Sequence, residues 1–414
     1  MSILFKNLRL IKPEGVQSPT TFIFQNNSLK KYREGDDLKI EKEIDGTNLY
    51  LSSGWTDLRC GAGDPGLEYK ESIESLCASL QFSGFSRGVL LPNTEPAIQS
   101  KNDVDYVLSK AKKTLVDLVI QGAVTKDTKG EELTEILDMH FQSGVSIFGD
   151  GTQPVFNSDR YMKLLQYLQR FNGTLFDYAY DPLIAIFGKM HEGEVSTNLG
   201  LKGIPNISED IAVQRNLEIL RYTGGKVHFQ TVSTRKAVDL IRMAKKEGLH
   251  VTADISIYQL IFSERDLVSF DPEYKVMPPF RGEDDRAALI EGLKDGTIDA
   301  LVSNHQPQDY DSKFMEFDLA SFGMSGLATF LPALVSLSQE LGWGLLIEKI
   351  TNGPKTVLGD TESESWTIFD PSEKWMYDRK SNPSLSSNSP WFGKELQGKV
   401  KFVIQKGKLL QFDE

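Results

Sequence analysis

The stretch KVHFQTVSTRKAVDLIRMAKKEGLHVTADIS, residues 226–256, decides the fold. It opens with a short apolar run that ends in polar residues. It continues through TRKAVDLIRMAKKEG, where apolar residues recur every three to four positions, and closes on a second apolar run, HVTADIS. Period 3.6 between two short strand-like runs predicts a strand–helix–strand unit. The Lys-Glu-Gly ending is a normal helix stop.

The same rhythm extends in both directions. Apolar runs occur at 48–57, 87–93, 115–125, 144–150, 174–181, 226–233, 250–256 and 298–304. Amphipathic stretches such as ESIESLCASLQFSG, GEELTEILDMHFQS and DDRAALIEGLKDG lie between them. Eight β-then-α units predict an α/β fold of the (β/α)8 TIM-barrel type; an open doubly wound sheet is the rival. Both chain ends read instead as short strands and turns. The expected division is a β-sandwich satellite domain from 1–50 plus 360–414, and a barrel over 51–359.

Composition excludes more than it identifies. With 46 Lys plus Arg against 58 Asp plus Glu, the 414-residue chain carries a net charge of −12. That argues against nucleic acid and against an anionic membrane surface as partners. The 2 cysteines, Cys60 and Cys77, form no disulfide framework. No signal peptide or transmembrane run is recognisable at the N-terminus or elsewhere. The expected location is cytoplasmic.

Barrel chemistry belongs at the C-terminal ends of the strands. Those ends carry Asp57, Asn93, Asp150, Asp177, His228, Asp254, Asn304 and His305. The set contains no H-x-H or H-x-x-x-H spacing. His140, His191 and His250 fall in helix or loop segments and read as structural. With four carboxylates and two histidines at the mouth, a metal site is conceivable, since divalent metals take preorganised sets of such ligands.

Several blocks together resemble the type I dihydroorotases of the amidohydrolase superfamily. They are DLRCGAGDPGLEYKESIES, LLPNTEPAIQS, GEVSTNLGLKGIP, VHFQTVSTRKAVDLIRMAKKEG, YKVMPPFRGEDDRAALIEGLKDGTIDALVSNHQPQ and FGMSGLATFLPAL, in order along nearly the whole chain. The resemblance implies a barrel with a β-sandwich from both termini, a homodimer, and zinc-dependent, reversible cyclisation of carbamoyl aspartate to dihydroorotate. It also implies which positions should carry the chemistry, and most are replaced. Arg59 and Gly61 stand where His-x-His is expected, and Gly63 where a substrate-binding arginine is expected. Gly151 replaces a carboxylate ligand, and Tyr178 and Thr231 replace histidine ligands. Tyr258 and Gln259 replace a histidine pair, Met277 replaces an asparagine, Asn304 the catalytic aspartate, and Gln308 a histidine.

Zinc lowers the pKa of bound water from about 15.7 to about 7. At about 1.4 kcal/mol per unit, hydroxide without metal costs on the order of 12 kcal/mol more. Asn304 adds to this, because an amide cannot take up the proton that a general-base carboxylate would accept.

The expectation is therefore a degenerate member with no catalytic residues, no metal and no cofactor. It would act as a pseudoenzyme of pyrimidine biosynthesis, with aspartate transcarbamoylase as the partner that the resemblance suggests. The candidate ligand pocket comprises Arg59, Asn93, Asp150, His228 and His305. Arg59 is expected to replace the metal's charge and to pair with Asp150, Asp177 or Asp254, because a buried charge needs a partner. Two alternatives stand beside this: a hydrolase with a remodelled metal site built from Asp150, Asp177, Asp181, Asp254, His228 and His305, and a sensor that binds a small anion through Arg59 and Asn93.

Overall fold

The computed structural model describes residues 2–33, 40–359 and 364–412. Eight parallel strands follow one another around a barrel in chain order. They are β1 (Trp55–Cys60), β2 (Phe85–Leu90), β3 (Asp117–Gly122), β4 (Ile147–Phe148), β5 (Thr174–Asp177), β6 (Val227–Phe229), β7 (Val251–Ser256) and β8 (Ala300–Val302). The stretch 226–256 supplies β6, the helix Arg235–Lys246 and β7. Register pairs Val227 with Val251 and Phe229 with Ala253. Thr234 caps that helix by accepting the Ala237 N–H, which satisfies a donor the first turn leaves free.

The seam between β8 and β1 closes just beyond the strands. Cys60 bridges His305, and the Gly61 N–H donates to the His305 carbonyl at 2.7 Å. Inside, Leu58, Val89, Ile147, Phe176, Ala300 and Val302 fill the barrel. The core is therefore packed rather than a pore. Cys60 and Cys77 are buried and free.

Among the described residues, the segments near both chain ends build one nine-stranded sheet beside the barrel. Ile3–Lys12 lies beside Tyr50–Ser53, which pairs with Trp366–Met376 and so reaches Glu395–Gln405. Its own apolar core includes Phe5, Phe22, Phe24, Leu51, Ile368 and Phe402. The run at 48–57 thus holds two strands: Tyr50–Ser53 belongs to the terminal sheet and β1 starts at Trp55, across Gly54. The boundary drawn at residue 360 lies outside the described residues. The polar segment 378–396, read as a loop that separates strands, packs against the barrel: Asn382, Ser384, Ser386, Asn388 and Ser389 are all buried. No helix among the described residues is long and apolar enough to cross a membrane.

Candidate functional site at the barrel mouth

Four of the replaced positions meet at the mouth. Arg59, the residue before the last of β1, has no solvent exposure. Its Nε donates to Asn304 Oδ1 at 2.9 Å, and both terminal nitrogens donate to the Gly151 carbonyl at 3.2 Å. Its guanidinium carbon stands 4.6 Å from the centre of the Tyr178 ring. Burial pushes the Arg59 pKa down, and Tyr178, Asp254 and Asp57 oppose that. A guanidinium nevertheless stays protonated in proteins. Burial holds the Tyr178 phenol well above its usual range, so it remains a donor.

The expected carboxylate partners of Arg59 are engaged elsewhere, which corrects the sequence reading. Asp150 accepts the Val124 and Thr125 N–H groups at 3.0 Å each and the Thr125 hydroxyl. Asp177 is held by Tyr161 at 2.9 Å and Asn216 at 2.6 Å. Asp254 accepts from His228 Nε2 at 2.8 Å and from the Thr231 N–H at 2.6 Å. Among the described residues no carboxylate forms an ion pair with Arg59. A backbone carbonyl, a side-chain amide and an aromatic face hold the charge instead. The strand that supplies Arg59 also supplies Asp57, which accepts from the Ser303 N–H and hydroxyl and from the Arg59 N–H. Burial raises Asp57 to about 7 and Asp150 and Asp177 to about 6 each.

The five pocket candidates are not brought together as one site. Asn93 reaches the cavity wall, but its amide clamps the neighbouring turn: Nδ2 donates to the Asp150 carbonyl at 3.0 Å and Oδ1 accepts the Thr152 N–H at 2.8 Å. His228 lies inside the barrel between Thr252 and Asp254. His305 is fully buried, with its Nε2 3.5 Å from the equally buried Glu71. Asp150 lies beneath its loop, and Arg59 lies under the Tyr178 ring. Tyr258 bonds Gly326 and Thr329, and Gln259 bonds the Pro278 and Pro279 carbonyls, so both tie loops together. His140 stacks on Phe171, and His191 contacts Arg281.

The zinc of the resembled family does not fit this donor set. Among the described residues no three His, Cys, Asp or Glu side chains converge on a point that could hold a metal. A cation already stands at the family's ligand positions. Glycine at 151 is part of that arrangement: its φ is +63°, and a Cβ there would lie 2.0 Å from Asn93 Oδ1. A carboxylate ligand at 151 would require a different loop. At Gly63 a Cβ would lie 1.9 Å from the Leu67 carbonyl oxygen, so this loop also has no room for the family's arginine.

Above Arg59 and Tyr178 lies a cavity of about 540 Å³. Lys70, Lys189, Tyr180, Phe187, Met277 and Phe322 are among its lining residues. Neither lysine was a candidate from the sequence: Lys189 sits in a loop outside the quoted blocks, and Lys70, inside the first of them, is not at a position where the resemblance places chemistry.

The geometry finds its context in known proteins. Residues 50–237 match the dihydro-orotase-like family model. A dihydroorotase from Trichlorobacter lovleyi is 33% identical over 99% of this chain and 99% of its own length. One from Aquifex aeolicus is 32% identical over 100% of both chains, and one from Acetivibrio thermocellus is 37% identical over 86% of each. Among solved structures, the L-hydantoinase (dihydropyrimidinase) from Arthrobacter aurescens shares the fold. Its TM-score is 0.83 at 21% identity, over 99% of this chain and 96% of that one. The dihydropyrimidinase from Brevibacillus agri reaches 0.81 at 15% identity, over 99% and 95%. The barrel with its terminal sheet is the amidohydrolase fold, and the full-length similarity shows that this chain belongs to the dihydroorotase family.

Proposed function

We propose that this chain is a non-catalytic member of its family. It does not interconvert carbamoyl aspartate and dihydroorotate, and it serves pyrimidine biosynthesis as a structural or regulatory partner of aspartate transcarbamoylase. One observation carries the reading: Arg59 is buried against Gly151, Tyr178 and Asn304, at positions where the family's chemistry requires metal ligands and a catalytic aspartate. A fixed cation there repels a divalent metal. The Asn304 amide is committed to Arg59 through its oxygen and to the Met277 carbonyl through its nitrogen. The buried His228–Asp254 pair is closed off by Thr252 and Thr231 and does not reach the cavity. The name of the relatives, dihydroorotase, supports a role in pyrimidine biosynthesis. The choice of partner and the expected homodimer rest on the resemblance alone.

The test is a dihydroorotase assay in both directions on full-length protein prepared with added zinc, with metal content measured on the same sample. The expected result is no turnover and no stoichiometric zinc. Turnover that tracks bound zinc would overturn the reading and return a remodelled hydrolase to first place. Co-purification with aspartate transcarbamoylase tests the partner, and sedimentation tests the dimer.

A further inference from the structure

The position expected to carry a substrate-binding arginine and two of the pocket candidates offer the cavity no free polar group. Gly63 has no side chain, Asn93 clamps the 150–152 turn, and His305 faces Glu71. A different set is offered. Lys189 lines the wall and donates only to the Asp318 carbonyl, with no ion pair among the described residues. Lys70 lines it too, bonded to Gln308 at 2.9 Å and standing 4.0 Å from Asp309. No carboxylate side chain is among the lining residues. Beneath the floor lies Arg59, which forms no ion pair among the described residues. Tyr178, 5% exposed, forms part of the lining, and its buried hydroxyl has no hydrogen-bond partner. The potential inside such a cavity is positive, and low-dielectric walls strengthen it.

The rest of the cavity is apolar. Phe322 and Met277 line it, and Phe187 stands at its mouth, 71% exposed and at a left-handed φ of +63°. Leu183, on the same loop, is 72% exposed. The volume of about 540 Å³ belongs to the class that encloses ligands well beyond a single six-membered ring.

We propose that this cavity binds an organic carboxylate with a bulky aromatic or aliphatic body. The charged end is held by Lys70 and Lys189, and the body lies against Phe187, Phe322 and Met277. The proposal rests on the non-catalytic reading above, since it gives the retained cavity a use other than hydrolysis.

The experiment is calorimetric titration of the full-length protein at low ionic strength with 1-naphthoate, its neutral analogue 1-naphthamide, and dihydroorotate. Naphthoate is expected to bind at least about tenfold more tightly than either of the others. Lys189→Met and Lys70→Met are each expected to weaken naphthoate by about tenfold, the contribution of one charge-assisted contact, and to leave naphthamide unchanged. Equal binding of amide and acid, preference for dihydroorotate, lysine variants that bind as the parent does, or no saturable naphthoate binding would each overturn the proposal. The turnover assay on the same sample separates the two ideas. Turnover defeats the non-catalytic reading, whereas silence in both assays defeats only the ligand.

Discussion

Two arginines are sealed inside this barrel in opposite ways. Arg281 is 3% exposed and sits beside a carboxylate, with its terminal nitrogen 3.7 Å from Glu209. It also donates to Ser233 Oγ at 3.0 Å and to the Ile204 carbonyl at 2.8 Å. Glu209 in turn accepts from the N–H groups and hydroxyls of Ser233 and Thr234. Arg59 is equally buried and has only neutral partners. Arg281 is half of a charge-balanced clamp that ties the β6–helix turn to the loop after β7. Arg59 is a cation with a carbonyl, an amide and a ring around it and, among the described residues, no ion pair; Asp254 and Asp57 act on its charge without touching it. Arg59 is hydrogen-bonded but, among the described residues, not ion-paired, so its desolvation is only partly offset.

The contrast breaks or sharpens under mutation. The largest effect is expected for Arg281→Met. It leaves Glu209 buried without its counter-charge, and breaking a buried pair costs about 3–5 kcal/mol. Urea unfolding reads this as a lowered midpoint. Arg59→Met should cost far less, about 1 kcal/mol, because the lost hydrogen bonds are partly offset by removal of a desolvated charge and no ion is left unpaired. If Arg59→Met destabilises as strongly as Arg281→Met, Arg59 has a working counter-ion, and the comparison fails.

The smallest effect is one of pH. Burial raises Asp57 from its ordinary 3.8 to about 7. Between those values the folded chain holds a proton that the unfolded chain releases, so this group's contribution to stability is lost as pH rises through the window. Asp57→Asn removes the titration. Its stability relative to the parent should improve from about pH 4 to about pH 7 and level off above that. In an Arg59→Met background the window should move upward, because the nearby positive charge is gone. If it stays in place, Arg59 and Asp57 do not interact.

Local pattern made much of the fold legible. The 3.6-residue period of TRKAVDLIRMAKKEG and the short apolar runs on either side are properties of neighbouring residues, and they become a helix and two parallel strands. The pairing of the two chain ends was legible for the same reason, since both read as strands outside the α/β rhythm. The replacement of histidine and aspartate by Arg, Gly, Tyr and Asn at the mouth was also legible, because it is a matter of residue identity alone.

The destination of each remaining side chain was not. Arg59 meets Asn304, 245 residues away, and Gly151, 92 residues away. Which acceptors face it depends on how eight strands close, which no local pattern encodes. Asp150, Asp177 and Asp254 looked available to Arg59 and are held instead by Thr125, Tyr161 with Asn216, and His228. The polar segment 378–396 looked like a solvated loop. Yet Asn388 exchanges hydrogen bonds with Gln306, Gln308 and Ser325, and Ser386 bonds the Lys70 carbonyl, so its polar groups are buried but satisfied. Sequence determined what kinds of side chain stand at the mouth of this barrel. Only closure of the barrel decided which of them touch, because a buried polar group takes its partner from whatever the fold brings within hydrogen-bond reach.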